Sequence, residues 1–187
     1  MSNMFYGEEM NIAAVHRASE LKGKITVLFA MGIVGVFLEN IPMLVYGGVL
    51  ISMGKVCDSY KTAGLCMLVS SVLSIVSTFI FEEDSAGSLI LTIPAAVLSL
   101  IAIYGEIQGH AEILTGIDDE NANKWLQLWK WMIMAYGGLI GSMVLIVILL
   151  PVGAIVAVAA SIALVVTAVM KIKYLYDMDN TLKKLLT

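Results

Sequence analysis

The sequence predicts an all-α integral membrane protein. It has six transmembrane helices arranged as three helical hairpins, with both termini cytoplasmic and an N-terminal amphipathic helix lying on the interface. Three observations lead there. Hydrophobic residues make up 59% of the 187 residues and charged residues only 14%, a balance outside the range of soluble domains. Residues 131–170 carry no charged side chain, and that stretch is about twice the roughly 20 residues that span a bilayer. Finally, all eleven Lys and Arg residues fall on one side of a six-span topology, which the positive-inside rule makes the cytoplasmic side.

The elements follow in order. Residues 1–24 form a cytoplasmic segment in which Phe5, Ile12, Val15, Ala18 and Leu21 recur at near-helical spacing beside Glu8, Glu9, Arg17 and Glu20, the pattern of an interfacial helix. Residues 25–54 would reach about 45 Å as one helix, too long for one upright span. Two short arms, 25–38 and 41–55, fit better, because Asn40 can cap a helix that Pro42 begins and a single helix would bury Glu39 at mid-membrane. The third crossing is 62–81, ended by Glu82, Glu83 and Asp84. The fourth is 88–105, with Ser85, Ser88 or Thr92 ahead of Pro94 as alternative caps. A cytoplasmic loop, 106–130, leads to crossings at 131–150 and 152–170, which turn at Pro151, and residues 171–187 form a cytoplasmic tail.

Composition excludes several classes. Acids outnumber bases overall, at a net charge of −4, so nucleic acid has no electrostatic footprint here and is not an expected partner. Two cysteines without CxxC spacing read as buried structural thiols. The chain lacks a GxSxG turn, an HExxH pair and a Gly-rich phosphate loop, and no histidine lies inside a predicted span, so an enzyme is the weakest of three readings and would rest on His16, His110 and nearby carboxylates at the cytoplasmic face. No cofactor is expected. The alternation of Asp119, Asn121 and Asn123 resembles the start of a calcium loop, but Lys124 and Lys130 stand where glycine and a bidentate Glu are needed.

Three groups of residues remain as candidates. His16 with Glu20, and Glu106 with His110, are pairs four apart on one helix face, and Glu112 lies nearby. Imidazole plus carboxylate can bind zinc or iron or move a proton, although charged residues at a helix end are ordinarily solvated. Glu39, Asn40, Ser70, Ser74 and Thr78 would line a path for a polar solute if the first hairpin is sunken and the hydroxyl row faces inward. The same hydroxyls also serve helix packing, as do Gly137 and Gly141 in the fifth helix and Gly153, Ala157 and Ser161 in the sixth. Trp125, Trp129 and Trp131 read as an aromatic belt.

The leading expectation is a non-enzymatic multi-pass protein, a scaffold or small subunit in the plasma membrane. It would associate with a second copy or another membrane protein through its Gly, Ala and Ser faces, with the lipid bilayer as its constant partner. The alternative is a small-solute transporter or its substrate-binding subunit. Six helices in 187 residues with both ends inside is a size and topology similar to the substrate-binding subunits of energy-coupling-factor vitamin transporters. The resemblance is architectural and implies solute binding without naming residues.

Overall fold

A computed structural model of the chain describes residues 2–35, 40–81 and 86–186, with side chains described from 15 onward except 40 and 86. The described residues are helical throughout, with short connections: α1 Ser2–Gly35, α2 Asn40–Met53, α3 Asp58–Ile80, α4 Ala86–Leu114, α5 Asp119–Ile148 and α6 Leu150–Lys184. Four stretches are long and apolar enough to cross a membrane, namely Asp58–Ile80, Gly87–Leu114, Asp119–Ile148 and Leu150–Lys184. α2 is apolar but has only 14 residues, about 21 Å of rise. In α1 the charges end with Glu20, Lys22 and Lys24, and the apolar residues 25–35 that follow rise only about 16 Å.

Boundaries shift from those predicted for physical reasons. Residue 24 marks no break, because α1 runs unbroken across the junction between its charged and apolar parts. α2 begins at Asn40, as expected of a helix entered through Pro42, while Glu39 and the Glu82–Asp84 turn lie outside the described residues. Pro94 does not start α4 but sits inside it on an exposed face, where its missing N–H leaves one carbonyl for neighbours to satisfy. α4 and α5 each extend well into the stretch 106–130 read as a loop, which reduces the break to Thr115–Asp118. There Gly116 takes a positive φ of 79°, a conformation that glycine adopts without strain. Asp118 then caps α5, its carboxylate accepting from the Asn121 N–H at 3.1 Å. Pro151 opens α6, and only Leu149 separates α5 from α6. A side chain at Gly153 would strike the backbone of Ile146, so this hairpin closes tightly because position 153 has none.

Each helix packs against its chain neighbours, and α1 also packs against α6. The result is a ring of six helices in sequence order. α2 and α3 run antiparallel, with Gly47 against Leu68 and Gly54 against Lys61. Counting from these contacts places Asn40 level with residues near 71–75 of α3, about two helical turns short of that helix's end. Among the described residues the ring has a charged end and an apolar end. Lys24, Lys61, Glu106, Lys130 and Lys171 are the first charges met on their helices from the apolar side, and contacts tie several of them to one level: Lys24 Nζ donates to the Ser52 carbonyl at 2.8 Å and Lys171 Nζ to Glu106 at 2.7 Å. The core lies at and beyond this level, where Leu21, Leu50, Tyr60, Ile107, Trp125 and Leu182 are fully buried. Toward the apolar end Phe79, Ile93, Val147 and Ile155 are exposed instead.

Gly64 and Gly47 allow the α2–α3 contact, since a Cβ on Gly64 would lie 2.6 Å from the Gly47 carbonyl oxygen and 2.7 Å from the Ile51 nitrogen. Backbone cannot swing aside as a side chain can. Gly64→Val is expected to lower stability by about 1–3 kcal/mol, read as a fall in the thermal unfolding midpoint in detergent. Gly137→Ala, with nothing within 4 Å of the added carbon, should leave the midpoint nearly unmoved. Equal midpoints for the two variants would contradict the α2–α3 packing.

Candidate functional site

The charged level of the ring encloses a polar cluster built around α4. Glu106 and His110 are one turn apart and so share a face, and that face points into the ring, leaving both residues fully buried. The glycine before each of them sets the neighbouring helix close. A Cβ at Gly105 would meet the Ser59 carbonyl at 3.1 Å, and one at Gly109 would meet the Tyr60 ring at 2.7 Å. α3 therefore lies against α4, with Tyr60 beside His110.

The Tyr60 hydroxyl is 2.7 Å from His110 Nδ1, and His110 Nε2 is 3.4 Å from Glu106 Oε1. The same carboxylate oxygen accepts from the Tyr46 hydroxyl of α2, and Oε2 accepts from Lys171 Nζ of α6 at 2.7 Å. A nitrogen facing a carboxylate must carry the proton to be attracted. This assigns the hydrogen to Nε2 and leaves Nδ1 to accept from Tyr60. α5 contributes Trp125, whose ring centroid lies 4.4 Å from that of His110 and 5.7 Å from that of Tyr174. Lys171 also stands 5.0 Å over the Tyr46 ring. Five helices thus meet at one carboxylate and one imidazole, and no buried side-chain nitrogen or oxygen among the described residues lacks a partner.

The charges balance as one carboxylate and one ammonium. Burial is uneven, since the Glu106 side chain has no exposure and that of Lys171 keeps 20%. The exposed part of Lys171 lines a crevice of about 200 Å³ between α1, α2 and α6, shared with Gly32, Gly35, Met43, Tyr46 and Ala168. α1 closes the ring elsewhere, where Thr26 Oγ1 donates to Asp179 Oδ1 at 2.9 Å and Lys183 pairs with the other oxygen of that carboxylate. In the turn before α3, burial and a bond from its Sγ to Glu112 Oε2 at 3.1 Å push the Cys57 thiol up from its ordinary pKa. It stays protonated at neutral pH and is a poor nucleophile.

The sequence candidates separate. Glu106 and His110 come together, while Glu112 is exposed and bonded to Cys57, and His16 and Glu20 are exposed on α1. Among the described residues no three His, Cys, Asp or Glu side chains gather as a metal would require. Ser70 is buried and donates to its own helix at the Met67 carbonyl, and exposed Thr78 donates to the Ser74 carbonyl. The Asn40 side chain and Glu39 are outside the described residues. Gly153 packs on α5, Ala157 is half-buried and Ser161 is exposed, and Gly137 and Gly141 are exposed with open space around them. The tryptophans divide: Trp125 is wholly inside, Trp129 leans on Tyr104 at 5.2 Å, and Trp131 is 52% exposed.

Tyr46 and Lys171 were not legible as partners of Glu106, nor Tyr60 as the partner of His110. One signal was available, because Glu106 and Lys171 are each the first charge after a long apolar run and so share a depth. Comparison with protein-family models, curated proteins and solved structures finds no match, so no family's functional residues transfer here.

Removing one member of a buried pair strands the other charge, whereas removing both can be nearly neutral. Lys171→Met is expected to cost about 3–5 kcal/mol, and adding Glu106→Gln should restore most of it. A denaturant titration of both single variants and the double variant in detergent micelles reads this coupling, and additive losses would show that the pair is not coupled.

Proposed function

We propose that this is a non-enzymatic multi-pass membrane protein, a scaffold or small subunit that associates laterally through the outer face of α5. Several apolar helices are consistent with a membrane protein. In the full reading all six helices enter the bilayer as three hairpins from the cytoplasmic side, with the α1–α2 hairpin short, and the charged end of the ring faces the cytoplasm. The distribution of Lys and Arg supports this orientation.

The observation that carries the reading is how the glycines are used. Gly64, Gly109 and Gly153 each sit where a side chain would strike a neighbouring helix, and Gly47 and Gly105 where it would fit only tightly, whereas nothing lies within 4 Å of a Cβ built on Gly137 or Gly141, as also on Gly23, Gly32 and Gly48. Gly137 and Gly141 are four apart on one face and are flanked by exposed Ile133, Ile140, Val144 and Ile148. In lipid, helices associate through close backbone approach at such small-residue pairs, because lipid offers no hydrophobic drive between apolar side chains. Inside this chain glycine serves that purpose repeatedly. A matching pair facing outward supports a helix from outside the chain as its partner. The hydroxyl row of α3 supports a solute path less, since the Ser70 and Thr78 hydroxyls are engaged with their own helix.

Native mass spectrometry from mild detergent or lipid nanodiscs tests this. The wild-type chain is expected as a dimer or with a co-purifying membrane protein. The variant Gly137→Leu with Gly141→Leu is expected as a monomer with an unchanged unfolding midpoint. A wild-type chain that is monomeric and alone, or a double variant that still assembles, would count against the reading. Orientation has its own check: cysteines placed at Ser2 and Ser85, in a background without Cys57 and Cys66, should react with a membrane-impermeant maleimide from the inside and the outside respectively.

A further inference from the structure

We propose that Glu106 and His110 form a proton-binding site that holds its proton in exchange for Lys171. The inference rests on the polar cluster and does not depend on the lateral-association reading. With neutral imidazole the enclosed charges are one carboxylate and one ammonium, and Glu106 has three donors, from Tyr46, His110 and Lys171. A proton taken from water at the charged end forms an N–H bond at Nδ1 of His110. Tyr60, 2.7 Å away, turns from donor to acceptor, and the imidazolium keeps its Nε2–H toward Glu106. The carboxylate is then neutralised from within its own helix, and the cluster holds one positive charge in excess.

An unbalanced charge in a dry interior is costly. Only one of the three charged groups has a way out. Glu106 and His110 have no exposure, while the Lys171 side chain keeps 20% and lines the crevice between α1, α2 and α6. Its departure leaves Glu106 Oε1 with the Tyr46 and His110 donors, while Oε2, which Lys171 had met, faces the space the ammonium vacates. Of the other groups around His110, Lys171 carries a like charge, and its repulsion of the imidazolium is what the exchange relieves. α2 brings the Tyr46 phenol, α3 brings Tyr60 with the Cys57 thiol just before it, α5 brings Trp125, and α6 brings Lys171 and Tyr174, while Glu112 is turned outward to Cys57. Proton entry thus releases the one direct tie between α6 and α4 in this cluster, at the seam where α6 meets α1 and α2. The ligand is the proton, and the site couples its binding to the freedom of α6.

The test uses the full chain in nanodiscs and an amine-reactive label, with labelling at each lysine read by mass spectrometry. Lys173 lies on the same helix and is exposed, so the ratio of labelling at Lys171 to that at Lys173 cancels the reagent's own pH dependence. On going from about pH 8 to about pH 4, an interval wide enough to take in a buried histidine, the ratio is expected to rise several-fold in the wild-type chain and to stay flat in His110→Gln. A ratio that is flat in the wild-type chain, or that rises equally in His110→Gln, overturns the proposal. Where His110→Gln does not fold, Trp125 replaces it, since imidazolium against the indole lowers its emission. In a chain carrying Trp129→Phe and Trp131→Phe, emission should fall over the same pH interval in which the Lys171 ratio rises. A fall in emission without a change in the ratio likewise overturns the exchange.

Discussion

A single carboxylate, that of Glu106, sets the terms for the charged end of this ring. Fully buried, it needs hydrogen-bond donors, and the three that meet it come from α2, from its own helix and from α6. Those donors fix the rotation of α2 and α6 about their axes more tightly than apolar packing would, because a hydrogen bond depends on direction and a methyl contact does not. His110 then carries the constraint to α3 through Tyr60 and to α5 through stacking on Trp125. Among the described residues α1 alone stands outside the cluster, and it has its own polar tie to α6 at Asp179.

The two ends of the ring answer to different solvents. At the charged end the helices bury leucines, tyrosines and a tryptophan as a water-facing protein does, each large side chain contributing roughly 1.5–3 kcal/mol. At the other end the same helices expose Phe79, Val147 and Leu150, which in water would mark an error and in lipid cost nothing. Packing there relies on shape, so glycine positions take the place of the core. Gly153 turns α5 into α6, while Gly137 and Gly141 leave a flat strip open.

Much of this was readable from residues 131–170 and from the placement of Lys and Arg. Long charge-free stretches can only be apolar helices, and Pro151 marks where one stops and the next begins. The helix ends near residues 106–130 were harder to read, because a helix leaving the bilayer continues on polar sequence, and hydropathy registers only the loss of apolar residues. Glu106 and His110 were visible as a pair on one face. That the face points inward was not, since it depends on Tyr46 and Lys171, which are sixty or more residues away along the chain, and a carboxylate near a helix end looks solvated until its neighbours are known. Trp125 was misassigned to the belt for the same reason: a tryptophan near an interface satisfies the belt pattern whether it faces lipid or the interior.

Replacing a buried ion pair by apolar residues of similar volume is often neutral or stabilising, so the cost of enclosing Glu106 and Lys171 is not explained by stability alone. Register is one return, since a polar pair tolerates no slip of α6 along α4. It does not account for the asymmetry of the pair. A device for register alone would bury both charges equally, whereas here the carboxylate is sealed among three donors and the ammonium, on a long flexible stem, borders an open crevice. A sealed charge beside a releasable one is the arrangement that exchange requires, because the partner that leaves must find water or headgroup when it does.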